Sequence, residues 1–251
     1  MSGQLSGRVA IVTGGAGGIG SRIAKEFASQ GARVVVASRG QEKLDQIVAE
    51  IKSVGGEALG VATDVTDPAQ VDNMVSRTIS EFGQVDIMVN NAGGAMFIKP
   101  AEELLPEEWN AAIALNLNSV FLCSVAVSKN MIERKFGKII NISSVAGMRL
   151  SPNFVHYGAA KAAVINLTKG LAVSWGPHNI NVNCIAPGLT ATEGVANWLP
   201  PKTKKDGSPV PLLQYPPDPE HVAQLALFLA SSASDRISGE LFPIRALTEL
   251  A

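Results

Sequence analysis

The sequence has few cysteines and no excess of basic charge. Only two of its 251 residues are cysteine, Cys123 and Cys184, which is too few for a disulfide framework or a zinc site and favours a reducing compartment. Lysine and arginine number 21 against 22 aspartate and glutamate, a formal net charge of -1. The chain therefore lacks the basic excess of a nucleic-acid-binding protein, and we expect no nucleic-acid partner.

Long apolar runs are also missing from the sequence. No run approaches the roughly 20 residues that a membrane-spanning helix needs, and the first residues lack the apolar core of a signal peptide. We therefore expect a soluble, cytoplasmic protein with no membrane partner. The hydrophobic residues, 46% of the chain, are enough to fill a sizeable core.

Two kinds of apolar segment alternate along the chain. Short runs rich in Val and Ile predict strands, and longer segments with helical spacing predict helices. The strict alternation predicts an α/β fold in one domain covering residues 1–251, a Rossmann-type doubly wound parallel sheet with helices on both faces. The predicted strands are residues 8–13, 33–38, 58–62, 87–90, 138–142, 181–186 and 240–242, and the predicted helices are residues 19–30, 42–54, 68–82, 106–135, 155–174 and 218–230.

One proline-rich segment breaks this alternation. Seven of the 14 prolines fall between Leu199 and Pro219, so we expect no regular structure there. A loop of this length in a compact domain is often a lid or a binding loop, and the wider segment 190–219 is interpreted as a substrate loop. A surface segment without a role in binding is the alternative.

A glycine-rich turn joins the first predicted strand to the first helix. Glycines let the backbone approach a pyrophosphate closely, and the free amides of a helix N-terminus hold its negative charge. The glycines alone do not choose between two patterns, and a tight turn without a ligand is a third interpretation. The two patterns are Gly15-x-Gly17-x-x-Gly20 and the wider Thr13-Gly14-x-x-x-Gly18-x-Gly20.

Tyr157 and Lys161 stand four residues apart on one face of a predicted helix. A lysine at this spacing favours the phenolate and lowers the tyrosine pKa, so that the hydroxyl can exchange a proton near neutral pH. Such pairs are also common on helix surfaces without any role. We assign no catalytic role to His156, because neighbours along a helix point in different directions.

Taken together, these motifs make the sequence similar to the short-chain dehydrogenase/reductase family, in its single-domain branch. The resemblance spans nearly the whole chain, and the joint order and spacing of the motifs make it specific. The motifs are the Thr13–Gly20 turn in its wider spacing, Asp64-Val65, Asn90-Asn91-Ala92-Gly93, Asn116, Ser143-Ser144, Tyr157 with Lys161, and Pro187-Gly188.

The resemblance implies a catalytic tetrad of Asn116, Ser144, Tyr157 and Lys161. Tyr157 would be the general acid in carbonyl reduction and the base in alcohol oxidation, while Lys161 would lower its pKa and bind the nicotinamide ribose. Ser144 would hold the substrate oxygen, and Asn116 would position a water that relays protons to Lys161. The family spacing selects Ser144 over Ser143. A backbone-bridging Asn116 and a turn-forming Ser144 are the alternatives.

The resemblance also implies a nicotinamide cofactor and no metal. NAD-preferring relatives have an acidic residue at the end of the second strand, where this chain has Ser38 followed by Arg39, so NADP is favoured. NAD stays possible, because the glycine turn carries no lysine or arginine and Arg39 could be a solvated surface charge. Besides Tyr157 and Lys161, the implied cofactor contacts are Gly14, Gly15, Ala16, Gly18, Ile19, Gly20, Ser38, Arg39, Asp64, Val65, Asn91, Ala92, Gly93, Pro187, Gly188, Thr190 and Thr192.

The predicted function is hydride transfer between a nicotinamide and a small-molecule ketone or secondary alcohol. The resemblance also implies a homo-oligomer, a tetramer. A nucleotide-sugar epimerase or dehydratase, usually longer, and a non-catalytic regulatory protein on the same scaffold are alternatives. In relatives the last strand is often followed by an acidic residue and two glycines, whereas this chain has Pro243-Ile244-Arg245 at that place. This departure leaves the substrate and the subunit contacts open.

Overall fold

Seven parallel strands form one sheet in the computed structural model, which describes residues 3–247. The sheet order is β3-β2-β1-β4-β5-β6-β7, and every neighbouring pair is parallel. All seven predicted strands are confirmed, with ends displaced by no more than two residues. The strands are β1 (Val9–Thr13), β2 (Arg33–Ser38), β3 (Glu57–Ala62), β4 (Ile87–Asn90), β5 (Gly137–Ile142), β6 (Ile180–Pro187) and β7 (Leu241–Ile244).

Seven α-helices connect the strands or follow them. Local signals fix their ends: Asp67 accepts from the Ala69 backbone N–H at 2.9 Å and caps the third helix, and Gly31, with φ of 86°, follows the end of the first. The helices are α1 (Gly18–Ser29), α2 (Gln41–Ser53), α3 (Pro68–Phe82), α4 (Pro106–Ile113), α5 (Ser119–Arg134), α6 (Val155–Trp175) and α7 (Pro219–Ala230).

The prediction of one continuous helix over residues 106–135 is wrong in detail. A π-helical turn, Ala114–Asn118, separates α4 from α5. Within this turn the Asn116 side chain donates to the Ala112 carbonyl oxygen at 3.1 Å. A side-chain amide that binds a backbone carbonyl competes with the regular helical hydrogen bonds, and single π turns of this kind occur at functional sites.

The helices cover both faces of the sheet with two hydrophobic cores. On β1, Ala10 and Val12 belong to the core that includes Phe27 of α1, and the intervening Ile11 belongs to the core that includes Met74 of α3. Successive residues of a strand point to opposite faces, so a strand covered on both sides is apolar throughout. This explains why the strand segments lack polar alternation.

The stretch Pro106–Arg134 is long and apolar enough to cross a membrane by length and composition alone, with a mean hydropathy of 1.8. The expectation that no segment approaches this length is therefore too strict. In the fold, 44% of the apolar window is buried, and Cys123, Val127 and Met131 belong to the core on one face of the sheet. Packing against the sheet explains the apolar composition of this stretch.

After β3 the chain crosses to the other half of the sheet, so β1 and β4 lie side by side where the two halves meet. Their neighbours extend in opposite directions, so the loops after β1 and β4 diverge and leave a cleft at the carboxyl edge of the sheet. Residues 188–218, which follow β6, contain the short 3-10 helices Glu193–Trp198 and Leu212–Gln214 and an isolated antiparallel bridge between Thr203 and Pro209.

Candidate active site

The glycine-rich turn lies between β1 and α1, at the cleft. Gly14 and Gly18 have φ of 61° and 51°, a conformation that side-chain-bearing residues rarely adopt. A Cβ atom at Gly20 would lie 2.5 Å from Asn91 Nδ2, and nearer still to the Gly14 carbonyl oxygen, whereas one at Gly17 would meet nothing within 4 Å. The geometry therefore supports the wider glycine spacing of the two.

Asn91 ties this turn to the end of β4. Its side-chain amide donates to the carbonyl oxygens of Thr13 at 3.0 Å and Gly14 at 3.3 Å, and its backbone N–H donates to Thr13 Oγ1 at 3.0 Å. Thr13 Oγ1 in turn donates to the Val89 carbonyl oxygen at 3.2 Å. These bonds hold the floor of the cleft rigid where the two strands part.

Two adjoining cavities occupy the cleft. The larger, about 610 Å³, contains the glycine turn at one end and Tyr157 at the other, and the smaller, about 200 Å³, contains Ser38 and Arg39. Both are lined by Gly14, Ala92 and Gly93, so the two cavities form one continuous site. A long ligand with a phosphate near its centre matches this shape.

Most of the residues that the sequence assigns to the site line these cavities. Of the described residues that the sequence assigns to the site, four line neither cavity. Gly15 and Gly20 shape the turn, Ala16 packs against the core, and Asn116 is fully buried. The larger cavity is lined by Gly14, Gly18, Ile19, Asn91, Ala92, Gly93, Ser144, Tyr157, Lys161, Pro187, Gly188, Thr190 and Thr192, and the smaller by Ser38, Arg39, Asp64 and Val65 as well as shared residues.

Ser144 and Tyr157 meet in the larger cavity. Tyr157 is in the first turn of α6, and Ser144 is the second residue after β5. Burial raises the pKa of the Tyr157 hydroxyl above its ordinary value, while a hydrogen bond with Ser144 opposes part of this rise. The neighbouring Ser143 instead donates to the Lys161 carbonyl oxygen at 2.7 Å and is buried. The two adjacent serines therefore have different surroundings.

Lys161 lies beneath Tyr157, one helical turn further along α6. Its ammonium donates to the Ile142 carbonyl oxygen at 2.9 Å and lies 5.6 Å from the centre of the Tyr157 ring. Burial lowers the pKa of Lys161 to about 8. The expectation that Lys161 brings the Tyr157 pKa below its ordinary value is wrong for this chain by itself, because the penalty of burying the phenolate outweighs the neighbouring groups.

Asn116 is bound to the backbone of the loop after β4. Its Oδ1 accepts from the Gly94 N–H at 2.9 Å, and its Nδ2 donates to the Gly94 carbonyl oxygen at 3.1 Å. A Cβ atom at Gly93 would lie 2.7 Å from Asn116 Oδ1 and 3.1 Å from Lys161 Nζ, so this glycine permits the close approach of the two side chains. Asn116 thus performs the backbone-bridging role that the sequence left open.

Arg39 and Asp64 lie at the other end of the site. Asp64 accepts from the Thr66 hydroxyl at 2.7 Å and from the Thr66 N–H at 2.9 Å. These bonds, and to a smaller extent the charge of Arg39, lower the pKa of Asp64. Arg39 is exposed and lines the smaller cavity beside Ser38. A basic group is therefore placed where the sequence predicts the adenosine ribose.

The segment between Ser144 and Tyr157 contributes cavity-lining residues that the sequence analysis did not assign. Arg149, Leu150 and Phe154 line the larger cavity from this segment, and Trp198 does so from the loop after β6. No motif distinguishes Arg149, Leu150 or Phe154 in the sequence. Their position between two predicted catalytic residues is the signal that could have identified them.

The two cysteines and His156 line neither cavity. Both cysteines are buried, and burial raises the pKa of Cys123 to about 12 and that of Cys184 to about 11, so both thiols are protonated at neutral pH. His156 is buried and faces the Phe97 ring at 6.0 Å between centroids. Within residues 3–247 no group of His, Cys, Asp or Glu is arranged to hold a metal ion.

A glycine-rich turn at a helix N-terminus and a Ser, Tyr and Lys group that share one cleft are typical of oxidoreductases that use a dinucleotide cofactor. The family model for short chain dehydrogenases matches residues 8–202. The chain belongs to the short-chain dehydrogenase/reductase family.

Relatives along the whole chain support this assignment. A 3-oxoacyl-[acyl-carrier-protein] reductase of Synechocystis sp. is 40% identical over 247 residues, which cover 96% of each chain. A D-threitol dehydrogenase of Mycolicibacterium smegmatis is 37% identical over 237 residues, 94% of this chain and 90% of the relative. A 7α-hydroxysteroid dehydrogenase, solved with NADH and 7-oxo glycochenodeoxycholic acid, superposes with a TM-score of 0.88 at 33% identity and covers 96% and 94%. These proteins are dehydrogenases and reductases that act on CH–OH and C=O groups.

Proposed function

We propose that this chain interconverts a ketone and a secondary alcohol with a nicotinamide cofactor, with Tyr157 as the group that exchanges a proton with the substrate oxygen. The observation that carries the proposal is that Ser144, Tyr157 and Lys161 line the same cavity as the glycine turn. The family relatives named above act on hydroxyl and carbonyl groups, which supports this reaction type.

The residues of the cleft fit a nicotinamide dinucleotide. Gly17, Gly18 and Ile19, where α1 begins, line the larger cavity, and the backbone N–H groups of a helix N-terminus suit a pyrophosphate. Thr190 and Thr192 line the same cavity, with hydroxyls that suit a carboxamide, and Thr192 lies beside Gly18 of the turn. When bound, the nicotinamide supplies or accepts the hydride.

The side chains divide the proton chemistry between them. Burial raises the pKa of Tyr157, so its hydroxyl is protonated at neutral pH and can donate to the oxygen of a ketone. Ser144 lines the same cavity as Tyr157 and donates to the oxygen as negative charge develops on it. Lys161, with a pKa of about 8, can carry a proton to and from the interior of the site near neutral pH.

A substrate panel tests the reaction type. Purified protein is given NADPH or NADH with aliphatic, cyclic and aromatic ketones, and the loss of absorbance of the reduced cofactor is followed. We expect reduction of at least one ketone and, in reverse, oxidation of the matching alcohol. Cofactor binding without turnover on any ketone or alcohol would support a non-catalytic binding protein, and conversion of a nucleotide sugar would support an epimerase or dehydratase.

NADP is the proposed preferred cofactor. Ser38 and Arg39 line the smaller cavity, and a guanidinium binds a phosphate through two hydrogen bonds. Arg39→Ala should weaken NADPH binding by about 1.5–3 kcal/mol and leave NADH binding nearly unchanged. Lys43→Ala, at an exposed position on the neighbouring helix α2, is the matched control. Fluorescence titration of both cofactors checks this, and tighter binding of NADH by the unmodified protein would contradict it.

A homotetramer is the proposed assembly, and it rests on the family resemblance. Light scattering at micromolar concentration should give about four times the chain mass of 26.2 kDa. A mass of one chain would contradict it.

A further inference from the structure

The substrate end of the larger cavity has an apolar wall. In the 3-10 helix Glu193–Trp198, side chains three residues apart lie one above the other, and Val195 and Trp198 accordingly both line the cavity. Leu150 and Phe154 line it from the segment before α6. This wall favours a substrate with an apolar body attached to its carbonyl group.

Two large side chains of this wall are strongly exposed. Leu150 is 96% exposed and Trp198 is 60% exposed, although both line the cavity. Exposed apolar side chains that border a binding cavity are covered when a ligand is bound. The apolar body of the substrate is therefore expected to reach the rim of the cavity and to cover these two side chains.

The charges that line the larger cavity have one sign. Among the described residues, Arg149 and Lys161 are its charged lining residues, and no carboxylate lines it. The Lys161 ammonium is buried and donates to the Ile142 carbonyl oxygen at 2.9 Å. Arg149 is exposed and takes part in none of the ion pairs found in the described part of the chain. Its guanidinium thus remains available to a ligand.

The backbone that carries Arg149 is held in place on both sides. The Gly147 N–H donates to the Ser144 carbonyl oxygen at 3.0 Å, and a Cβ atom at Gly147 would lie 2.6 Å from the Ala162 backbone nitrogen, so the segment packs tightly against α6. On the other side, Ser151 Oγ donates to the Ala146 carbonyl oxygen at 3.2 Å. The backbone on both sides of Arg149 is therefore held against α6 and the segment that follows Ser144.

We propose that the substrate carries an anionic group, a carboxylate or a phosphate, separated from its carbonyl group by an apolar body, and that Arg149 binds this anion. A guanidinium suits both anions because its parallel N–H groups match their oxygens. Arg149 lines the cavity that contains Tyr157, whereas Arg39 lines the other cavity, so the two arginines serve different ends of the site. This inference rests on the proposed ketone reduction.

The substrates for the test are methyl ketones of increasing chain length. Each chain ends in a carboxylate, in the matching neutral methyl ester, or in a phosphate monoester, and kcat/KM is measured for each with NADPH. We expect at least one anionic ketone to be used about 10-fold or more efficiently than the neutral ester of the same length, the effect of a hydrogen bond to a charged group. The carboxylate and phosphate arms show which anion is preferred.

The variant Arg149→Gln keeps the size and polarity of the side chain but removes its charge. We expect the ratio of kcat/KM between the anionic ketone and its ester to fall to about one, and the wild-type ratio to fall as salt is added. The exposed Arg236, in the loop before β7, gives the matched control Arg236→Gln, which should keep the wild-type ratio.

Two results would overturn the proposal: equal use of anionic and neutral ketones by the unmodified protein at every chain length, or an unchanged ratio in Arg149→Gln. In both, ketones are still reduced, so the proposed function survives. If no ketone is reduced, whether it ends in a carboxylate, an ester or a phosphate, the proposed function is overturned together with this inference.

Discussion

Alanine substitutions at Gly20 and at Gly17 test separately how the glycine turn packs and whether it binds a cofactor. At Gly20 a Cβ atom would lie 2.5 Å from Asn91 Nδ2 and nearer still to the Gly14 carbonyl oxygen. At Gly17 it would meet nothing within 4 Å, and yet Gly17 lines the larger cavity. Gly20→Ala therefore strains the protein itself, whereas Gly17→Ala fills space that a ligand would use.

The expected loss of stability follows from these contacts. Overpacking costs typically about 1–3 kcal/mol, and the upper end applies at Gly20 because a backbone carbonyl cannot turn away. Alanine gains about 1 kcal/mol over glycine inside a helix, so Gly20→Ala should lower the free energy of unfolding by about 2 kcal/mol. Gly17 has φ of −170°, which alanine adopts freely, and the weaker N-cap should cost less than about 1 kcal/mol.

Urea unfolding and fluorescence titration with NADPH measure the two effects on the same samples. We expect Gly20→Ala to lose stability, and Gly17→Ala to keep most of its stability but to bind NADPH about 10-fold or more weakly, as when a hydrogen bond to a charged group is lost. Wild-type affinity in Gly17→Ala would refute the assignment of the turn as a phosphate site, and equal stability of the two variants would refute the close packing assigned to Gly20.

Two further predictions concern the site residues. Ser144→Ala should lower turnover about 100-fold or more. Ser143→Ala should mainly lower stability, by about 1 kcal/mol, because the buried Ser143 hydroxyl binds the Lys161 carbonyl oxygen. Steady-state kinetics and urea unfolding compare the two variants, and a larger loss of turnover in Ser143→Ala would contradict the choice of serine. The pKa of Lys161 is about 8 in the folded protein and 10.5 ordinarily, so between these pH values the unfolded chain binds a proton that the folded chain does not. The free energy of unfolding of the wild type, relative to that of Lys161→Met, should therefore rise by about 3 kcal/mol from pH 8 to 10.5, and this gain should be lost when the pH is lowered again. A difference between the two proteins that does not change with pH would contradict the buried position of this lysine.

The sequence predicts the architecture well, because each element has a local signal. The Val-rich run at β2 is apolar since both faces of the sheet are covered, and the end of α1 is marked by Gly31. Spacing on one helix is also enough to place Tyr157 and Lys161 together. Fold class, strand limits and the location of the cleft follow from such local patterns.

What the sequence does not predict depends on tertiary packing. The π turn at Asn116 results from a side chain that binds the backbone of a distant loop, at Gly94, and no periodicity reports that contact. The raised pKa of Tyr157 results from its burial, which the spacing to Lys161 does not reveal. Arg149 becomes a candidate substrate residue only when the fold places it beside the cavity.

Turnover by the Tyr157→Phe variant tests the assigned proton transfer most directly. Phenylalanine keeps the ring but removes the proton, so ketone reduction should fall about 100-fold or more while NADPH binding persists. The chain's other tyrosine, Tyr215, lines neither cavity, and Tyr215→Phe serves as the matched control. Near-wild-type ketone reduction by Tyr157→Phe would contradict the role of Tyr157 as the acid and base of this site.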